Sequence, residues 1–127
     1  MSLTSITYGL AALMGFGIIV IGMRALLVPR AAASGFFGIP IRKDGAAFDA
    51  YMAIKGVRDI GVGLITFALL ITATAHVLGW FVVATTAIPL GDAVIVLRHS
   101  GSKAAAVGIH GATAAVMLVL AAALLLS

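Results

Sequence analysis

The chain has 127 residues, of which 63% are hydrophobic and 9% are charged, and its formal net charge is +4. A soluble domain carries about 25% charged residues, so this composition predicts an integral membrane protein, and the length suits a single domain over residues 1–127. The chain has no cysteine, which excludes disulfides and thiol chemistry. It also has no glutamate, so carboxylate chemistry is restricted to Asp44, Asp49, Asp59 and Asp92.

Four apolar segments follow one another, at about 6–27, 48–74, 76–97 and 104–126. Each is long enough for a membrane span, which needs roughly 20 mostly apolar residues. The first segment has no basic residue ahead of it and is too long for the apolar part of a signal peptide, so we expect it to be retained as a helix. The sequence therefore predicts an all-α fold, an integral membrane four-helix bundle.

The connections between these segments differ. The first, residues 28–47, holds two prolines and is long enough to have a structure of its own, re-entrant or interfacial, that carries Phe36 and Phe37. The second is very short and uncharged, which predicts a tight hairpin. The third is short and basic, and Gly101 is a plausible helix stop.

The cations predict the orientation of the chain. All eight lysines and arginines lie in or beside the first and third connections, whereas the termini and the second connection have none. By the positive-inside rule both termini are extracytoplasmic, in a multi-pass protein of the cell membrane. The basic residues then face anionic lipid head groups, so we expect membrane lipid as a partner and no nucleic acid.

Several polar residues are predicted to lie deeper than this basic belt. At a rise of 1.5 Å per residue, Asp92 lies about 9 Å inside Arg98, and His110 about 10 Å inside Lys103. Antiparallel helices bring Asp92 and His110 to about the same depth as four further charged residues, Arg24, Lys55, Arg58 and Asp59. The sequence therefore predicts one polar pocket near the cytoplasmic side.

Asp92 is the member of this set that most needs an explanation. An aspartate near the middle of a membrane helix costs about 2.5–3.5 kcal/mol on insertion scales, and its short side chain cannot reach the interface. It therefore needs a partner, with Arg58 the first choice and Lys55 the second. Pro89 and Gly91 leave room for a ligand beside it. A purely structural ion pair is the alternative, and Arg24 and Arg58 can also extend to the interface without entering a pocket.

The predicted site residues fall into two groups. The catalytic candidates are Asp92, Asp59 and His110, and the substrate-binding candidates are Arg24, Lys55, Arg58, Thr85 and Thr113. Two acids beside cations can differ in protonation, which suits a general acid/base enzyme for isomerisation, cyclisation or epoxide opening of a lipophilic small molecule. We expect no cofactor, and no metal site because the ligand spacing is absent.

Two other functions stay open. One is a transporter or channel subunit in which Asp92 or Asp59 relays a proton or ion. The other is an interaction subunit whose polar residues only hold the bundle together. The outer half of the membrane has no acids, which favours a pocket open to one side. Rows of small residues such as Ala104, Gly108 and Ala112 predict close helix contacts and a homo-oligomer, most simply a homodimer.

Four stretches together resemble a known family: "LLVPRAAASGFFGIP", "KGVRDIGVG", "IPLGDAVIVLRHSG" and "GIHGATAAVML". They follow one another in this order, the match would cover nearly the whole chain, and the chain is similar to the small four-helix membrane proteins grouped as domain of unknown function 4267. The resemblance implies four membrane helices but no particular activity. It marks as pattern positions Lys55, Arg58, Asp59, Asp92, Arg98 and His99.

Overall fold

A computed structural model of the protein describes residues 2–40 and 45–127. Within these ranges the chain forms six α-helices and one π-helical segment: α1 (Leu3–Leu27), α2 (Pro29–Phe36), α3 (Ala46–Thr72), α4 (Ala75–Thr85), α5 (Ala87–Arg98), the π segment (Ala105–Gly111) and α6 (Ala112–Leu126). Arg42 and Lys43, two of the cations behind the orientation prediction, and the acid Asp44 lie outside the described residues.

Among the described residues, three helices are long and apolar enough to cross a membrane, namely Leu3–Leu27, Ala75–Arg98 (α4 and α5 together) and Ala105–Leu126 (the π segment and α6 together). The helix α3 has 27 residues, but every 18-residue stretch of it contains Lys55, Arg58 and Asp59. The prediction of an all-helical protein of membrane type is confirmed. The crossing of α3 and the side on which the termini lie stay predictions.

The helices α1 and α3 pack antiparallel at very short backbone distance. A methyl group added at Gly22 would lie 2.5 Å from the Gly56 carbonyl oxygen, and one added at Gly63 would lie 2.6 Å from the Gly15 carbonyl oxygen. Only glycine permits this approach, which is the packing that small residues provide between membrane helices. Gly15, Gly22, Gly56 and Gly63 thus lie in the contact between the two helices, whereas a Cβ at Gly61 would meet nothing within 4 Å.

The other half of the fold is a second antiparallel pair. Here α4 and α5 form one rod, interrupted at Thr86, in the segment that the sequence predicts as one helix. The break lies three residues before Pro89, whose nitrogen cannot donate to the Thr85 carbonyl. This rod packs on the π segment and α6 around an apolar core to which α1 contributes one residue, the core members being Ala11, Leu78, Val82, Met117, Leu120, Ala121 and Leu124.

The short helix α2 covers the end of the molecule where the predicted polar residues lie. Ala32 and Ala33 of α2 are buried against Ala25 of α1 and Met52 of α3. The part of the first connection that the structure describes before residue 41 therefore does have a structure of its own, and Phe36 and Phe37 lie at the end of α2 toward the second helix pair.

Candidate functional site

A central cavity of about 100 Å³ lies between the two helix pairs. Six of the eight predicted site residues line it, namely Lys55, Asp59, Thr85, Asp92, His110 and Thr113. The rest of its wall is mainly apolar, with side chains such as Ile18, Val62 and Met117. The structure thus collects most of the predicted set around one small space.

The other two predicted residues lie elsewhere. Arg58 is exposed and lines a second space, the outer hollow, which has a volume of about 500 Å³. Among the residues that the structure describes, its walls come from α3 and α5. The outer hollow shares Lys55, Asp59 and Asp92 with the central cavity. Arg24 is exposed and lines neither space, so the structure does not bring it to the site.

His110 is fixed in one orientation by three contacts. Its Nε2 lies 2.7 Å from the Phe36 carbonyl oxygen. A carbonyl oxygen only accepts hydrogen bonds, so Nε2 must carry the hydrogen and donate it. The ring of Phe37 stacks on the imidazole with 5.6 Å between centroids and 8° between planes. The other nitrogen, Nδ1, then faces Oδ2 of Asp92 at 3.7 Å.

Backbone structure explains how His110 reaches this position. The residue lies in the π segment, where the wider turn displaces side chains from the positions that an α-helix would give them. Phe36 is the last residue of α2, and the carbonyl groups at a helix end have no partner within the helix. His110 satisfies one of them, and the Ser102 amide satisfies the next by donating to the Phe37 carbonyl at 3.4 Å.

The connection after α5 is shaped for this contact with α2. Gly38 has a φ of +58°, and a Cβ added there would lie 2.8 Å from Cβ of Ser102. A Cβ added at Gly101 would lie 2.8 Å from the Phe37 carbonyl oxygen. Glycine is needed at both points, because one requires a left-handed backbone and both require close approach. These glycines hold the end of α2 against the chain that leads to His110.

Asp59 has a different environment from Asp92. Its Oδ2 lies 2.5 Å from Nζ of Lys55, one turn earlier on α3, and the side chains are 14% and 29% exposed. The same Nζ lies 5.6 Å from the centroid of Phe37, within the range of a cation–π contact. Lys55 is therefore the counter-ion of Asp59. Among the described residues, the side chain within ion-pair distance of Asp92 is His110, not the predicted Arg58 or Lys55.

This arrangement has a clear chemical meaning. Since Nε2 of His110 carries a hydrogen, Nδ1 is the nitrogen that can take up a further proton, and the Asp92 carboxyl group faces it at 3.7 Å, a distance longer than a hydrogen bond. With one exchangeable proton on the two groups, the pair is either imidazolium with carboxylate or neutral imidazole with carboxylic acid. Asp92 can thus act as a base or as an acid toward a molecule in the central cavity, which is the requirement for general acid/base work.

The described residues contain no cluster of three or more histidine, aspartate or glutamate side chains that could hold a metal ion. His76 and Trp80 form a separate polar contact on α4, in which Trp80 Nε1 donates to Nε2 of His76 at 3.2 Å. Both residues are exposed, and neither lines the central cavity or the outer hollow. The acids of the cavity and this contact are therefore not connected through the spaces described above.

Sequence reasoning did not include Phe36 and Phe37 in the site, although both line the cavity. Phe36 acts through a backbone carbonyl, which no residue pattern reports. Phe37 could have been suspected from its place in an aromatic pair directly before Gly38, at the end of a short helix beside the polar residues.

The chain belongs to the family described as domain of unknown function DUF4267, whose match covers residues 15–124. No curated protein and no solved structure matches the chain. The matched region contains every residue that lines the central cavity.

Proposed function

We propose that this member of the DUF4267 family is an integral membrane enzyme that moves a proton on a lipophilic small molecule without a cofactor. Asp92 is the acid/base group, and His110 holds the exchangeable proton in alternation with it. The observation that carries the proposal is the orientation of His110, with Nε2 donating to the Phe36 carbonyl and Nδ1 facing Asp92 across 3.7 Å.

The reaction follows from that one proton. With the proton on Nδ1, Asp92 is a carboxylate and removes a proton from a carbon of the bound molecule. The protonated Asp92 then returns a proton to another carbon, which shifts a double bond. Ring closure starts instead from protonated Asp92 and ends when the carboxylate takes a proton back. Both reactions leave the elemental composition unchanged, whereas opening of an epoxide would add one water.

The neighbouring charges have supporting roles in this proposal. Lys55 is the counter-ion of Asp59, whereas Asp92 faces His110, so the two acids of the cavity have different partners. Lys55 and Arg58 bind a polar group of the substrate from the side of the outer hollow. Thr85 and Thr113 supply hydroxyl groups at the cavity wall.

The membrane placement of the site is part of the proposal. We infer that α3 is a fourth span, since α1 packs along it at backbone distance from Gly22 to Gly15. The charged residues Lys55 and Asp59 of α3 face the cavity, which removes them from lipid. The lysines and arginines that the structure describes lie toward one end of the bundle, which supports a cytoplasmic position for that end and an extracytoplasmic position for both termini.

The test uses purified protein in lipid nanodiscs, incubated with a total membrane lipid extract and followed by mass spectrometry. The wild type converts a compound into a product of the same mass, and Asp92→Asn does not, although it unfolds at a similar temperature. Asp49→Asn is the matched control, because Asp49 lies on α3 outside the cavity and pairs with Arg30 at 3.6 Å. It keeps wild-type turnover.

Two outcomes would contradict the proposal. In the first, Asp92→Asn folds and turns over the same compound at the wild-type rate. In the second, no compound is converted, and proteoliposomes with the wild type, but not with Asp92→Asn, conduct protons along an imposed gradient. That result would make the protein a transporter or channel subunit.

A further inference from the structure

A third space, the apolar groove, runs along the outside of the central cavity. One wall comes from α1, through Leu10, Leu13 and Met14. The other comes from the π segment and α6, between Gly108 and Ala123. The groove has a volume of about 810 Å³, and apart from Thr113 its lining residues are apolar or glycine. It is the largest of the three spaces.

The apolar groove and the central cavity have walls in common. Ile109, Thr113 and Met117 line both, so a single layer of side chains separates them. On its other side the cavity shares Lys55 and Asp92 with the outer hollow. The three spaces therefore form a row through the molecule: a charged hollow, a small cavity with the proton-sharing pair, and a long apolar groove.

The row of spaces is polar at one end and apolar at the other, in the same order as the head and tail of a membrane lipid. From Thr113 to Ala123 the groove follows α6 for ten residues, which is about 15 Å at the rise of an α-helix. This path leads away from the basic end of the bundle. The outer hollow, in contrast, carries Arg58, which makes no ion pair with any residue that the structure describes. A guanidinium group suits carboxylate and phosphate ligands.

We propose that the substrate is a single-chain amphiphile with a negatively charged head. The head binds Arg58 in the outer hollow, the adjoining part of the chain lies beside Asp92 in the central cavity, and the tail lies in the apolar groove. This inference rests on the proposed function for the meaning of Asp92. One chain is specified because Ile109, Thr113 and Met117 separate the cavity from the groove, and a single chain displaces these side chains least when it passes between them.

The groove is tested with a photoreactive probe, a fatty acid that carries a diazirine near the end of its chain, with the protein in nanodiscs. On irradiation it labels residues between Gly108 and Ala123, as mapped by mass spectrometry of peptides. Ala115→Trp fills the groove and reduces labelling by about tenfold or more, in line with the loss of a favourable apolar contact. Ala122→Trp, at an exposed position of the same helix outside the groove, keeps wild-type labelling.

The head is tested with the same chain as the free acid and as its methyl ester. Arg58→Gln lowers labelling by the acid roughly tenfold, the effect of losing one charge-assisted hydrogen bond, and leaves labelling by the ester unchanged. Arg98→Gln is the control, because Arg98 is exposed and does not line the outer hollow. It alters neither probe.

Binding and chemistry are separated by Asp92→Asn, which keeps the labelling pattern because neither head nor tail depends on the carboxylate. If the proposed function fails but the amphiphile binds, labelling persists without turnover in any variant. Equal labelling of Ala115→Trp and Ala122→Trp would overturn the inference. So would cross-links between two copies of the chain through the groove, which would show that a second copy fills it.

Discussion

The hydrogen bond from His110 Nε2 to the Phe36 carbonyl limits what this imidazole can do. A histidine that shuttles protons needs one free nitrogen on each side, but here one nitrogen is committed to the backbone. Only Nδ1 can exchange a proton, and it faces Asp92. His110 therefore acts on the substrate through Asp92, while Phe37 and the Phe36 carbonyl keep the ring from turning.

We predict that His110→Phe lowers the stability of the protein. Phenylalanine keeps the stacking on Phe37 but cannot donate to the Phe36 carbonyl, which is left without its partner. The free energy of unfolding falls by about 1–3 kcal/mol, as measured by unfolding in a mild detergent. His76→Phe, which removes an exposed contact within one helix, changes it by less than about 0.5 kcal/mol. Equal stability of the two variants would contradict the role assigned to the Phe36 contact.

The π segment is the element on which the geometry of the pair depends. In an α-helix each residue advances the direction of the side chains by about 100°. A π turn contains more residues, so the face that His110 presents to α2 depends on the extra width between Ala105 and Gly111. Seven residues of π-helix in an otherwise α-helical span are unusual and are typical of functional sites.

Deletion of Gly108 tests this element. The shortened segment is expected to close into α-helix, which removes the extra width that lets His110 reach the Phe36 carbonyl. His110 is 6% exposed in the wild type and should resist diethyl pyrocarbonate, whereas the exposed His76 and His99 react and serve as internal controls. In the deletion variant His110 reacts as well, as seen by peptide mass spectrometry. Continued protection would show that the π segment does not set its position.

The close contact between α1 and α3 should make the stability of the protein sensitive to an added side chain at Gly22. Gly22→Ala places a Cβ 2.5 Å from the Gly56 carbonyl oxygen, and backbone atoms cannot yield easily. The helices must separate, and the free energy of unfolding falls by about 1–3 kcal/mol. Gly17→Ala on the same helix meets nothing within 4 Å and is neutral or slightly stabilising. Thermal unfolding of both variants would show whether this difference exists.

The depth of the site residues could be predicted from the sequence, but the direction of their side chains could not. The rise per residue gives the depth of each side chain, and depth alone brought Lys55, Asp59, Asp92 and His110 together correctly. The direction in which a side chain points depends on packing. Arg24 is two residues after Gly22, about 200° around the helix from the face that contacts α3, and is therefore exposed.

At the scale of the whole molecule, the composition was enough to predict an all-helical membrane protein. The π segment, the break at Thr86 and the contact of α2 with His110 were not predictable, because each depends on backbone geometry that several segments determine together. The partner of Asp92 was missed for the same reason, since His110 reaches it only through the π segment.

The orientation of the molecule is also open to test. A periplasmic-type reporter fused after Ser127 should be active, and a reporter that works only in the cytoplasm should be inactive, because the cations all flank the opposite end of the helices. Fusions within the connection between α5 and the π segment, near Ser102, should give the reverse pattern. Activity of the cytoplasmic reporter after Ser127 would invert the proposed placement of the site.

In the proposed reaction, Asp92 and His110 exchange one proton with a molecule in the central cavity. Asp92 is 27% exposed beside the outer hollow, so this proton also exchanges with solvent. The most direct measurement is deuterium incorporation during turnover of a membrane lipid extract in heavy water. We expect the wild type to form a product with deuterium on carbon, retained after return to ordinary water, and Asp92→Asn to form none. Product that carries no carbon-bound deuterium, or the same incorporation in Asp92→Asn, would contradict it.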